Sequence, residues 1–178
     1  MSTLELRTGR LILRPVGWPD LADLVALKGD PRAYAVMLGG VRLPVVAVDE
    51  LAQDIAAWSR HGYGMWTVRA QDDARFVGVV GLQDRPDGRG VALRFALKPA
   101  EQGRGYAGEA AGAALRFGHD RCGLARIVAV ARDDNFASRT VLGSVGMVSR
   151  ETFWRDGVEL AVFVSVGASG WRPHDPGL

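Results

Sequence analysis

The segment PAEQGRGYAGE, residues 99–109, holds residue types that could bind a phosphate group. It joins a strand-like run to a helix, yet its helix-opening positions contain no Ser, Thr, Asp or Asn to cap the first turn. Residues 102–105 therefore leave several backbone N–H groups without side-chain partners. These groups and the positive end of the helix dipole attract an anion, the glycines permit close approach, and Arg104 adds a cation. We expect a phosphate-binding loop, and the alternative is a flexible connection whose N–H groups bind water.

The glycines of this loop also spell a dinucleotide fingerprint, but the surrounding sequence argues against that fold. Gly103, Gly105 and Gly108 match GxGxxG, and Asp133 lies about where a ribose-binding acid would stand. Residues 99–101 separate the loop from its strand, and only one helix and a hairpin follow the next strand. A doubly wound NAD(P)-binding oxidoreductase domain does not fit in that remainder. No Gly-Lys-Ser/Thr is present, which excludes a Walker A loop.

Four stretches of the sequence share a resemblance to one family. The Gln-x-x-Gly-x-Ala pattern at residues 102–107 resembles the diphosphate loop of the GNAT superfamily of N-acetyltransferases. GYAGEA (105–110) and NFASRTVLGSVGM (135–147) resemble its RimJ/RimL-like branch, which acetylates protein N-termini, and TGRLILRPV (8–16) resembles the first strand of the family. Met147 stands where Phe is usual in that branch. The resemblance spans roughly residues 8–166.

The resemblance implies a binding site for acetyl-CoA as co-substrate. In this family acetyl-CoA lies in a V-shaped gap between two parallel strands, which would here be residues 91–98 and 126–131. Backbone groups of Phe95, Ala96 and Leu97 would pair with the pantetheine arm, and a backbone N–H of this strand would polarise the thioester carbonyl. The diphosphate would be held by the loop residues Gln102, Gly103, Arg104, Gly105, Tyr106 and Ala107.

The resemblance also implies direct attack of a primary amine on the thioester. Asn135 either caps its own helix or also binds pantetheine or orients the amine. Many family members protonate the leaving thiolate with a Tyr, but that position here is Leu142. Ser138 is then the nearest hydroxyl that could donate this proton, and its alternative is an ordinary first-turn Ser.

No general base can be assigned from the sequence. Glu109 is expected to be structural, and Asp84 to be a solvated acid at a strand end. His61 and His119 are expected at the surface. Cys122 lies at the far end of its helix from the loop, which favours a half-buried structural thiol over a nucleophile.

The expected acceptor is a peptide or protein N-terminal amine, in line with the branch that the sequence resembles. A small-molecule amine, such as an antibiotic or polyamine, is the close alternative. A non-catalytic acyl-CoA-binding module is the alternative from another class, because the family Tyr and an evident base are both missing. The final hairpin could pair between two copies as a homodimer.

The elements that must position these residues follow from hydrophobic periodicity and turn residues. Strand-like runs are expected at 10–16, 64–70, 75–83, 90–98, 126–131, 147–155 and 158–166. Helices are expected from Pro19 to Gly29 and at 48–60, 105–121 and 135–145, with a loop or irregular helix at 30–46. The turn sequences QDDA and DRPDGRG predict antiparallel hairpins in the middle of the chain.

This order predicts a mixed α+β fold in one domain, residues 1–178. Together with the resemblance, it indicates a mostly antiparallel sheet of six to seven strands and about four helices, with the splay between the fourth and fifth strands. The domain core would span about residues 8–166, and residues 167–178 would form a surface tail.

Composition limits the remaining classes. Hydrophobic residues make up 48% and charged residues 24%, values typical of a globular chain. The net charge of +2 does not by itself argue for nucleic acid binding. No apolar run approaches the roughly 18 residues of a membrane span, and the N-terminus lacks the apolar region of a secretory signal. A single cysteine excludes an internal disulfide and a multi-Cys zinc site, so we expect no metal and a cytoplasmic setting.

Overall fold

The computed structural model describes residues 4–168, which form eight strands and five α-helices. The strands are Leu6–Arg7 (β1), Leu11–Pro15 (β2), Met65–Ala70 (β3), Phe76–Asp84 (β4), Val91–Leu97 (β5), Arg126–Arg132 (β6), Val148–Arg155 (β7) and Val158–Val166 (β8). The helices are Leu21–Gly29 (α1), Pro31–Tyr34 (α2), Pro44–His61 (α3), Tyr106–Arg116 (α4) and Phe136–Ser144 (α5). The expected C-terminal tail lies almost wholly outside the described residues.

All eight strands form one sheet in the order β1-β2-β3-β4-β5-β6-β8-β7. Every neighbouring pair is antiparallel except β5 and β6. The predicted mixed α+β fold is confirmed. The strand count is one higher than expected because Leu6–Arg7 pairs with Ile12 and Leu13, and two residues are too few to show an alternating pattern. The splay therefore falls between the fifth and sixth strands.

The parallel pair β5 and β6 is joined at one position only. Ala92 is paired with Val128, and the two strands separate beyond that point. On its other side, β5 is paired with β4 along its whole length, from Gly78 with Leu97 to Asp84 with Val91. The carboxyl-terminal half of β5 thus keeps one hydrogen-bonded edge and turns its other edge to a gap.

Helices cover both faces of the sheet, because β4 and β5 carry apolar side chains on both sides. On one face, Leu24, Leu27 and Leu51 of α1 and α3 pack with Val79 and Ala96. On the other face lies the main core, where α4 packs on the sheet. The buried α4 residues there are Tyr106 and Leu115, together with the small residues Ala110, Ala111, Ala113 and Ala114. The small side chains of the alanines let this helix approach the strands closely.

Several element limits differ from the prediction. Helix α3 begins at Pro44, four residues before the predicted start, because proline fits the first turn of a helix. Residues 31–34 form one helical turn inside the segment expected as loop or irregular helix. The regular part of α4 ends at Arg116, and residues 117–121 widen into a π-helical turn.

The predicted final hairpin is confirmed. Its turn residues Asp156 and Gly157 both have positive φ, 50° and 75°, as a two-residue hairpin turn requires. Strand β7 forms the outer edge of the sheet, and Trp154 on it is 68% exposed. Within residues 4–168, no helix is long and apolar enough to span a membrane.

Candidate active site

The loop between β5 and α4 bends through two glycines in the left-handed region. Gly103 has φ 76° and Gly105 has φ 77°, a conformation that other residues rarely adopt. Gly105 is the N-cap of α4 and provides no side chain to cap the helix. No side chain of the loop therefore caps the first turn of α4, and the backbone of the loop lies next to that turn.

The amides of residues 103–108 donate no hydrogen bond to any acceptor in the part of the chain that the structure describes. The first amide of this segment with a hydrogen bond is that of Glu109, which donates to the carbonyl of the N-cap residue Gly105 at 3.2 Å. Six consecutive N–H groups at a helix N-terminus form a site suited to a diphosphate. This geometry supports the expected phosphate-binding loop.

Arg10 and Glu109 brace this loop from the side of β2. The Glu109 carboxylate accepts hydrogen bonds from the Thr8 hydroxyl at 2.5 Å and from Arg10 Nε at 2.8 Å. Arg10 Nη1 in turn donates to the carbonyl of Arg104 at 2.9 Å, and its guanidinium lies 4.6 Å from the ring centre of Tyr106. Burial alone would raise the pKa of Glu109, but the bonds from Thr8 and Arg10 outweigh it and lower the pKa. Glu109 is a structural residue here, as expected.

The backbone groups of β5 alternate between its two neighbours. The carbonyl oxygen of Ala96 faces β4, so closely that a Cβ at Gly78 would lie 2.2 Å from it. Alternation then directs the backbone groups of Phe95 and Leu97 toward β6. The Leu97 carbonyl accepts from Gln102 Nε2 at 3.2 Å, so the groups left facing the gap are the Leu97 N–H and both groups of Phe95. The expectation that Ala96 pairs with pantetheine is therefore not retained.

Asn135 and Ser138 lie together where β6 leads into α5. The Asn135 side-chain oxygen accepts from the Ser138 amide at 3.2 Å, which confirms Asn135 as the cap of its own helix. Asn135 is 7% exposed, and both residues line the cavity that includes the gap. Among residues 4–168, the Ser138 hydroxyl has no hydrogen-bond partner, so it can interact with a ligand there.

Two cavities adjoin at the splayed strands. The smaller, about 230 Å³, is lined by both strands and by α5, and the larger, about 520 Å³, is lined by α1, α3 and β4. Four residues line both cavities: Met37, Pro86, Arg94 and Phe95. The gap and the larger cavity therefore adjoin beside Phe95.

Glu50, which lines the larger cavity, is paired with two cations, Lys28 of the same cavity and Arg42 of the smaller one. Lys28 Nζ lies 2.6 Å from one oxygen of Glu50, and Arg42 Nε lies 2.7 Å from the other. Burial alone would raise the pKa of Glu50, but the two cations outweigh this effect and lower it. Glu50 is thus held as a carboxylate between two cations.

Unlike Glu50, Asp54 forms no ion pair among residues 4–168, although it is only 7% exposed. It accepts a hydrogen bond from Gln83 Nε2, and Gln83 Oε1 accepts one from Arg94 Nη1 at 3.0 Å. Burial raises the pKa of Asp54 to about 6, while Lys28 and Arg94 act in the opposite direction. A carboxyl group in this environment titrates close to neutral pH.

Cys122 and His119 both have hydrogen-bond partners within the fold. Burial raises the pKa of the Cys122 thiol, which donates to the carbonyl of Gly62 at 3.8 Å. His119 bonds the carbonyl of Leu124 and the hydroxyl of Ser165, so it is held within the fold and not at the free surface that was expected.

Asp84, expected as a solvated acid, is half exposed at the rim of the larger cavity. It accepts from the Tyr63 hydroxyl at 2.9 Å and lies 3.5 Å from His61. Within residues 4–168, no group of three or more His, Cys, Asp and Glu side chains is arranged to hold a metal ion.

Sequence reasoning missed the trio of Asp54, Gln83 and Arg94. Asp54 lies on the buried stripe of α3 with Ala47 and Leu51, and a carboxylate within an apolar stripe was the available signal. No comparable signal marks Gln83 or Arg94, which become neighbours only through the pairing of β4 with β5.

Comparisons with known proteins agree with this geometry. The family model described as an acetyltransferase (GNAT) domain matches residues 10–148. A curated protein of Aspergillus fumigatus, FsC-acetyl coenzyme A-N(2)-transacetylase, is 27% identical over an alignment of 163 residues, and the match covers 84% of this chain and 67% of that protein.

Solved structures are similar over nearly the whole chain. An acetyltransferase from Agrobacterium tumefaciens has a TM-score of 0.82 at 25% identity and covers 93% of this chain and 95% of its own. RimL, a ribosomal L7/L12 alpha-N-protein acetyltransferase in complex with coenzyme A, has a TM-score of 0.75 at 18% identity, with coverage of 92% and 98%. At that identity, RimL shows the shared fold. The chain therefore belongs to the GNAT acetyltransferase family, whose members are enzymes that use acetyl-CoA as co-substrate for N-acetylation.

Proposed function

We propose that this enzyme acetylates the N-terminal amine of a peptide or protein, with the diphosphate of acetyl-CoA on the amides of residues 103–108. One observation carries the placement. The gap between β5 and β6 adjoins the larger cavity, with which it shares lining residues, while β5 leads through residues 98–102 into the loop with the six amides. A single extended ligand can therefore bind the loop with one end and present its other end to an acceptor.

The residues of the gap would hold the extended part of acetyl-CoA. The backbone groups of Phe95 and the N–H of Leu97 are placed to pair with pantetheine as an added strand would. A backbone N–H of β5 would also polarise the thioester carbonyl. Asn135 would contact the pantetheine arm through its side-chain nitrogen, since its oxygen caps α5.

Ser138 would give a proton to the departing thiolate. It lies in the first turn of α5, lines the smaller cavity and leaves its hydroxyl without a partner among residues 4–168. A serine hydroxyl is a weak acid, so its contribution would be moderate and water could replace it in part.

A peptide acceptor is supported by the surface beside the cavities. Five apolar side chains between residues 36 and 46 are exposed: Val36 42%, Val41 45%, Leu43 69%, Val45 65% and Val46 38%. Met37, in the same stretch, lines both cavities. Exposed apolar side chains gathered in one segment next to a substrate cavity are suited to contact with another chain. RimL, which shares this fold, is named for acting on the α-amine of a ribosomal protein.

A small-molecule amine is the second candidate. The larger cavity, about 520 Å³, has a volume that can enclose a whole small ligand. Its acids Glu50, Asp54 and Asp84 could attract an ammonium group of either kind of acceptor.

Acetyl transfer to a matched panel of amines tests the proposal. The panel contains peptides with free N-termini, the same peptides with blocked N-termini and an internal lysine, and polyamines and aminoglycosides. We expect thiol release from acetyl-CoA only with free N-termini, with the acetyl group located there by mass spectrometry. Transfer to the small amines alone would contradict a peptide acceptor, and CoA binding without transfer to any amine would contradict the function.

Three further predictions depend on the sequence. We infer that the chain acts as one catalytic domain and resides in the cytoplasm, the latter from its single cysteine. Homodimer formation through the outer strand β7 is also a prediction, which sedimentation analysis can test.

A further inference from the structure

We propose that Asp54 accepts the proton of the acceptor's ammonium group, and that Gln83 and Arg94 hold its carboxylate in position. The inference rests on the proposed function and adds the proton acceptor that the sequence did not provide. Three observations support it: the burial of Asp54, its single hydrogen bond among residues 4–168, and its link through Gln83 to Arg94, which lines both cavities.

The burial of Asp54 is the first observation that supports this role. Asp54 is 7% exposed, and a carboxylate with so little solvent contact is normally paired with a cation. The nearby Lys28 is already bound to Glu50 at 2.6 Å. Asp54 has one hydrogen bond in the described part of the chain, from Gln83, although a carboxylate can accept several. Its remaining capacity is available to a donor in the larger cavity, which it lines.

The position of Asp54 relative to the splayed strands is the second observation that supports this role. Gln83 and Arg94 lie on the adjacent strands β4 and β5, and the chain Asp54–Gln83–Arg94 crosses from α3 to the splayed strand. Arg94 and its neighbour Phe95 line both cavities. An amine that attacks a thioester beside Phe95 must approach from the larger cavity, on the side where Asp54 lies.

Asp54 has the acidity that this role requires. Its pKa of about 6 makes it a carboxylate at neutral pH that can still take up a proton. The groups that act on or respond to it come from five elements. They are the charged or titratable Lys28 on α1, Tyr34 on α2, Glu50 on α3 and Arg94 on β5, and the neutral amide of Gln83 on β4. Lys28, Gln83 and Arg94 lower its pKa, Glu50 raises it, and burial exceeds each of them.

The transfer balances in protons and bonds. One proton of the ammonium group moves to Asp54, and the nitrogen lone pair that it leaves forms the new C–N bond with the acetyl carbonyl carbon. The C–S bond breaks and the thiolate takes a second proton, directly from Ser138 or water and ultimately from the amine. The amide nitrogen keeps the third, and Asp54 releases its proton to solvent.

The test compares wild type, Asp54→Asn and Asp49→Asn over pH 5–9, with the peptide that the amine panel identifies. Asp49 is exposed on the same helix and lines neither of the two cavities, so it controls for loss of one negative charge. We expect Asp54→Asn to lower kcat/KM about 100-fold or more at pH 7 and to leave the Kd for acetyl-CoA unchanged. The fall in kcat/KM below pH 6 should be present in wild type and Asp49→Asn and absent in Asp54→Asn.

Gln83→Leu provides a second readout that a purely structural role would not produce. Loss of its hydrogen bond to Asp54 should raise the pKa of Asp54, so the acid limb of kcat/KM should move to higher pH. This variant and the wild-type profile keep the proposal testable if Asp54→Asn fails to fold.

Two results would overturn the proposal. Equal kcat/KM for wild type and Asp54→Asn, with the same acid limb, would show that Asp54 only ties α3 to β4. An acid limb that stays in place in Gln83→Leu would show the same. Absence of transfer by wild type to any amine would instead overturn the proposed function, and this inference with it.

Discussion

Gly105 is a residue where both the backbone and the proposed ligand exclude a side chain. Its φ of 77° disfavours other residues, and the proposed diphosphate lies against its amide. We expect Gly105→Glu to abolish CoA binding in calorimetry, because the carboxylate would occupy phosphate space and repel the phosphates.

Gly123→Glu is the matched control for this variant. Gly123 has φ 67° and no atom near the position of a new Cβ, so it has the same backbone strain and the same added charge at the far end of the helical segment. Unchanged CoA affinity in Gly105→Glu, or equal loss in both variants, would show that the diphosphate lies elsewhere.

Ser138 can be separated from its helix by kinetics. We expect Ser138→Ala to lower kcat about 10-fold. This is less than the rate effect of a typical general acid, because water can replace the hydroxyl in part. The Kd for acetyl-CoA should not change, since the capping bond uses the backbone amide of Ser138. Ser144→Ala, at the other end of α5, is the control, and an unaltered kcat in Ser138→Ala would leave Ser138 as a helix residue only.

Asp54 should also make stability depend on pH. Its pKa is about 6 in the folded protein against 3.8 as the reference, so the stability it contributes is present below about pH 4 and is lost as the pH rises through 6. We expect Asp54→Asn to be more stable than wild type at pH 8, by on the order of 2–3 kcal/mol, and about equal at pH 4. Urea unfolding at both pH values measures this, and a variant less stable than wild type at pH 8 would contradict it.

At the scale of elements, the start of α4 depends on residues far away in sequence. Glu109 on α4 holds Thr8 and Arg10 beside β2, and Arg10 holds the carbonyl of Arg104 in the loop. The pKa of Glu109 is lowered, so its stabilising effect is present above its unfolded pKa and is lost on acidification.

We expect Glu109→Gln to lower the free energy of unfolding at pH 7 by about 1 kcal/mol and to weaken CoA binding several-fold. Urea unfolding and calorimetry measure the two effects. Asp120→Asn, in the π-helical turn, removes a charge without touching the loop and should change neither. Normal CoA affinity in Glu109→Gln would show that the loop keeps its shape without this brace.

Local signals predicted most of the elements. Alternating apolar residues and turn residues located seven of the strands, and the Asp156-Gly157 turn identified the final hairpin. The two-residue β1 carries no such pattern, and the start of α3 at Pro44 lies in an apolar stretch without helical periodicity. The π-helical turn after Arg116 depends on packing that only the folded chain provides.

At the scale of the whole molecule, the proposed function places the two substrates on different sides of the sheet. Acetyl-CoA would enter from the α4 end through the gap, and the acceptor would lie under α1 and α3, with Phe95 at the boundary. Parallel pairing at Ala92 alone creates this passage, while full pairing of β4 with β5 keeps its wall in place. In the proposed complex, the fold would thereby bring an amine and a thioester together without exposing either side of the sheet core.

The sequence predicted one side of this arrangement better than the other. The loop at 102–107 and the Asn135 segment are continuous in sequence, so their residue types alone indicated a coenzyme site. The acceptor side is assembled from α1, α3, β4 and β5, and the contact of Asp54 with Gln83 joins residues that only tertiary structure brings together.

The most direct test of the account is a crystal structure of the protein with CoA. The account predicts diphosphate oxygens within hydrogen-bond distance of amides in residues 103–108, and a pantetheine arm between β5 and β6 bonded to the backbone of Phe95. A diphosphate held elsewhere, with these amides bonded to water or to protein groups, would contradict it.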